Sequence, residues 1–158
     1  MNTRNRLDSI SPALANLFRH SSKSQQRRAA WVVCAVAVSQ SGLETNGLEA
    51  ALELILRGDG ERSLARIKLR QLAEKLDAEY LNLYEASGQV MTPDALSRFR
   101  KARAASALAF GLSSDSEELH ESIYEAIIAS EIRTEALNAA EAALEEQPDA
   151  IPKADRSS

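Results

Sequence analysis

The run AAWVVCAVAV, Ala29 to Val38, limits the folds open to this chain more than any other segment. It is the longest apolar stretch, yet it covers only about half of the roughly 20 residues needed to cross a bilayer. It is therefore expected to lie inside protein rather than lipid. Lys23 and Ser41 bound it as a helix, and Gly42 suits the left-handed residue that ends one. A helix with no polar face has to be surrounded by other elements. ASALAFGL, Ala105 to Leu112, is a second segment of this kind. The two are expected to form a central pair whose alanines and Gly111 allow close approach, with Trp31, Phe99 and Phe110 filling the larger gaps.

The rest of the chain repeats its apolar residues at helical spacing, with few aromatics and no alternating segments. The fold class is all-α, a compact bundle of about six helices. Ser11 and Pro12 predict a short helix through His20. Asn46 with Glu49 forms a capping-box pattern for a helix ending near Arg57, before GDG. Glu61 to Ser87 carries one stripe, Leu64, Leu69, Leu72, Leu76, Tyr80 and Leu83, and Gly88 stops it. Thr92 and Pro93 begin a fifth helix, and Ser114 with Glu117 caps a sixth that runs, bent, to about Glu146. Residues 1–22 read as an N-terminal segment with a short helix, 23–146 as a single helical domain and 147–158 as a flexible tail after Pro148 and Pro152. A 75-residue shift lays Arg28 on Arg103, Ser39 on Ser114, Leu48 on Ile123 and Ala51 on Ala126. This is a faint helical-hairpin repeat of the HEAT kind.

Groups that could carry a reaction are few. One cysteine, Cys34, excludes an internal disulfide, and its apolar neighbours make it a buried small hydrophobe; a reducing, cytoplasmic setting is expected. Polar residues before the apolar run argue against a secretion signal. His20 and His120 are the only histidines. Glu117 and His120 have the Glu-x-x-His spacing of di-iron bundles, but Leu17 stands at the matching position before His20. His120 therefore reads as an exposed histidine near the start of an acidic helix. Tyr124 occupies the position of a zincin's second histidine, and the glycines never form a phosphate-binding loop. The expectation is a protein that is not an enzyme, with no cofactor, no metal and no small-molecule substrate.

Arg98, Arg100, Lys101 and Arg103, with Arg4, Arg6, Arg19, Lys23, Arg27 and Arg28, are basic enough to suggest nucleic acid, but the net charge is -4. Ion pairing within the fold accounts for them better. A hinge near Ser114 puts Arg103 opposite Glu125 and Arg98 opposite Glu131. Glu117, Glu121 and Glu125 stack at i, i+4, which costs about 0.2–0.5 kcal/mol per adjacent like-charged pair. A fold built only for its own stability would place lysines among them. Glu117, Glu121, Tyr124 and Glu125 are accordingly the expected contact surface for a cationic protein partner.

Ala29-Ala30-Trp31 with Cys34 in an Ala-rich helix, Leu48-Glu49-Ala50-Ala51-Leu52 closed by Arg57-Gly58, and Ala102-Arg103-Ala104-Ala105 carry a resemblance that spans Arg27 to Ser130. The chain resembles the small all-helical immunity proteins of bacteria and related uncharacterised families. That resemblance implies a cytoplasmic protein that binds and neutralises a toxin. It transfers no functional residue, since the histidines of the late helices in some such proteins are missing here. The other reading is a structural or scaffolding helical-repeat protein that self-associates or binds a peptide; a nucleic-acid-binding regulator stands behind both.

Overall fold

The computed structural model describes residues 6–146. These residues form eight helices: α1 (Arg6–Ile10), α2 (Pro12–Arg19), α3 (Lys23–Ser41), α4 (Leu48–Arg57), α5 (Leu64–Ala86), α6 (Pro93–Gly111), α7 (Ser116–Ala129) and α8 (Arg133–Glu145). No strand occurs among them. The expected tail and Arg4 lie outside the described residues.

The apolar helices are central, as their lack of a polar face requires. Helix α3 packs against α4, α6, α7 and α8, while α6 packs against α3, α5 and α7. Ala29, Ala30, Val33, Cys34 and Ala37 from α3 are fully buried, as are Ala102, Ala104, Ala105, Ala107 and Leu108 from α6. Such small side chains let helix backbones approach closely. The aromatic filling was expected in the wrong places. Trp31, Phe99 and Phe110 are only half-buried, and the large buried side chains are instead Leu7, Leu14, Phe18, Ile55, Leu108, Leu112, Leu119, Ile123 and Ile127. Aliphatic side chains from α1, α2, α4, α6 and α7 supply the bulk instead.

Helix starts follow their capping chemistry. Ser11 accepts from the Leu14 N–H at 3.1 Å and Thr92 from the Ala95 N–H at 3.1 Å. Ser22 and Gln25 exchange a reciprocal capping box at the start of α3, and Gly42 closes that helix at φ 75°. Elsewhere the starts differ from expectation. The chain passes into α4 through Gly47 at φ 82°, a left-handed conformation that glycine tolerates, so the helix begins one residue too late for an Asn46–Glu49 box. Ser63 caps α5, and Glu61 lies before it, accepting from the Ser114 N–H at 2.8 Å and Ser114 Oγ–H at 2.6 Å. With Ser114 engaged there, Asp115 caps α7 by accepting from the Glu117 N–H at 3.2 Å.

Two differences turn about six helices into eight. The first is α1, whose five residues are too few to show a period. The second is a break in the expected bent final helix. Ser130 turns its hydroxyl back to the Ala126 carbonyl at 2.8 Å, and Gln40 of α3 accepts the Ile132 N–H at 2.8 Å. A side chain that satisfies backbone groups in this way competes with helix continuation. The result is an α7–α8 corner that wraps α8 onto α3.

Candidate functional site

The four residues singled out from the sequence all lie on α7. Glu117, in its first turn, is exposed. Glu121, one turn on, is three-quarters buried and accepts from Arg6, whose Nε–H lies 3.1 Å and Nη2–H 2.6 Å from Oε2, with a longer Nε–H contact to Oε1 at 3.4 Å. The Arg6 guanidinium also lies 4.3 Å from the centre of the Tyr124 ring and donates to Glu125 Oε2 at 3.2 Å. Glu121, Tyr124 and Glu125 thus converge on one guanidinium, and Glu117 stands apart from them. Hydrogen bonding to Glu121 raises the Arg6 pKa further above its ordinary value, against the effect of partial burial.

Glu125 departs from the picture of an open acidic surface. It is 2% exposed, and Arg103 of α6 holds it from the other side at 2.9 Å. Arg103 in turn binds Asp77 of α5 at 2.6 Å. A continuous run, Asp77, Arg103, Glu125, Arg6, Glu121, therefore ties α5, α6, α7 and α1 together. The like-charge stack is relieved by two arginines, and only one of them, Arg103, follows from the antiparallel register. Arg6 was missed because its partner lies 115 residues away, beyond any local spacing rule.

Several of the other basic residues are also engaged. Arg98 pairs with Glu79 rather than Glu131, and Arg100 takes Glu131 at 3.4 Å. Arg66 binds Glu118 at 2.6 Å, Arg28 pairs with Glu146, and Lys23 donates to the Ser114 carbonyl at 2.6 Å. Most of the cationic cluster is thus ion-paired within the fold.

His120 is not the exposed side chain expected from its place in an acidic helix. It is 2% exposed, with Phe18 of α2 packed edge-on against the ring at a centroid distance of 5.0 Å. Neither ring nitrogen has a hydrogen-bond partner in the protein. Burial, with help from the Arg19 charge, pushes its pKa down to about 4. His20 is exposed, its Nδ1 2.8 Å from the Asn16 carbonyl oxygen. Among the described residues, no group of three or more His, Cys, Asp or Glu side chains could hold a metal ion. Cys34 is buried, lies 3.4 Å from Ser122 Oγ, and is pushed up to about 12 by burial, so it is almost wholly thiol at neutral pH.

A second surface lies between α4 and α5. An open groove of about 440 Å³ is lined by Leu48, Ala51, Leu64, Leu69 and Leu72 with Lys68 among them. It exists because α5 packs chiefly on α6 and leaves its other side, including Leu64 and Ile67, exposed. No helix of the described residues is long and apolar enough to cross a membrane.

No family model, no curated protein and no solved structure matches this chain.

Proposed function

We propose that the protein is a non-catalytic protein-binding module whose contact surface is the acidic face of α7, in the manner of an immunity protein that neutralises a cationic bacterial toxin. One observation carries this reading. Glu121, Tyr124 and Glu125 already hold a guanidinium through a charge-assisted fork, a second carboxylate and an aromatic face. These are the contacts by which interfaces recognise arginine. The guanidinium comes from Arg6 on a five-residue helix. A partner's arginine can take its place, with exposed Glu117 drawing in further positive charge.

The test captures partners from the native host with three baits: wild type, Glu121→Lys and Arg6→Ala. Glu125 is left alone, because a lysine there would be buried beside Arg103. Arg6→Ala vacates the site and should recover more of a basic partner; Glu121→Lys should recover several-fold less at low salt and differ less at high salt. Equal recovery by all three baits rules out the acidic face.

A scaffolding helical-repeat protein that binds a peptide is the second reading, favoured by the apolar α4–α5 groove. The HEAT-like repeat belongs to this alternative. Loss of binding on Leu64→Glu, with Glu121→Lys binding normally, selects it.

A further inference from the structure

The histidine buried under α2 has a job that neither reading uses. A neutral imidazole offers one donor and one acceptor, and burying both without a protein partner is unfavourable. His120 bears that cost beneath a small unit: α1 and α2, which contribute Leu7, Leu14, Ala15 and Phe18 to the core. Only His20, Ser21 and Ser22 join this unit to α3. We propose that α1 and α2 form a lid over His120 that opens on acidification while α3–α8 stay folded.

The charges around the ring set the direction. Arg19 on α2 opposes a second positive charge, while Asp8 on α1 and Glu121 on α7 favour it. Both carboxylates are already committed, Asp8 to Arg19 at 2.5 Å and Glu121 to Arg6 at 2.6 Å. Helix α3 presents neutral Gln26, which donates to the Phe18 carbonyl at 2.9 Å. An imidazolium formed with the lid shut gains no free counter-charge and no water. With the lid lifted, it has solvent, Glu117 one turn back and Glu121 released from Arg6.

The closed form binds its proton at about pH 4, against 6.5 for a free side chain. The open form therefore carries more protons at every pH between these values. Stability of the closed lid is complete above about 6.5 and falls as pH drops towards 4. Between pH 7 and pH 5 the open-to-closed ratio rises about twentyfold on these values. Ordinary carboxylates remain ionised over that range, so loss of ion pairs does not explain the change. Lid opening would also release Glu121 and Glu125 from Arg6; that consequence rests on the partner-binding reading, whereas the opening itself does not.

Amide hydrogen exchange on the full chain, corrected for intrinsic rates, tests the lid at pH 7 and pH 5. Amides of α2 should lose protection about twentyfold at pH 5, those of α3 and α6 should hold theirs, and His120→Gln and His120→Leu should both respond little to pH. Unchanged protection of α2 in wild type overturns the lid. So does a matching loss across α3 and α6, which would be global acid unfolding, or a full pH response in both variants.

Discussion

Gly111 shows how much the centre of the molecule depends on one missing side chain. A Cβ there would lie 3.0 Å from both Ile55 Cδ1 and Ser122 Oγ, where α4, α6 and α7 meet. Ser122 is not free to move, because its hydroxyl donates to the Ala107 carbonyl at 2.7 Å. Gly111→Ala trades that tightness against about 1 kcal/mol of helix propensity and should be nearly neutral. Gly111→Leu has no such compensation and should lower stability by roughly 1–3 kcal/mol, read from the denaturant midpoint. An unmoved midpoint would mean that α6 is not packed as described. At this scale the sequence was most legible where partners are close in the chain. Arg103 opposite Glu125 follows from the antiparallel register alone. Arg6 and the burial of His120 do not, since each depends on an N-terminal side chain meeting α7 through the fold.

Element boundaries obey capping where a side chain can reach the helix end and obey backbone conformation where it cannot. Thr92 and Ser11 were readable for the first reason. Asn46 misled for the second, since Gly47 at φ 82° takes the cap position and makes no side-chain hydrogen bond. The difference is measurable: Thr92→Ala should cost about 1 kcal/mol, whereas Asn46→Ala should stay within about 0.5 kcal/mol. Comparable losses from both would restore Asn46 as a cap. The α7–α8 corner was hidden for another reason. Residues 116–145 keep a helical apolar pattern throughout, and the break is imposed partly from outside, by Gln40 taking the Ile132 N–H. No local rule contains that contact.

Over the whole molecule, the lid divides the chain into a unit that can leave and a unit that must stay. Helices α3, α6 and α7 bury one another, and α4, α5 and α8 each dock on α3 or α6. Helices α1 and α2 attach from outside, to α7 and α8 through apolar contacts and Arg6, and to α3 through the Gln26 hydrogen bond to the Phe18 carbonyl. A chain starting at Ser22 retains the Ser22–Gln25 capping box of α3 while losing Leu7, Leu14, Phe18 and Arg6. It should unfold cooperatively, at a lower denaturant midpoint than the full chain, because α7 loses apolar cover and Glu125 keeps only Arg103. Its stability should also become nearly independent of pH between 7 and 5. With Phe18 gone, His120 meets water whether or not the core is folded, and a group with the same pKa in both states makes stability neither rise nor fall with pH. The full chain should lose stability across that interval. Absence of a cooperative transition in the shortened chain would make α1 and α2 inseparable from the core and end the lid interpretation. A cooperative transition that kept the full chain's pH slope would place the titrating group elsewhere.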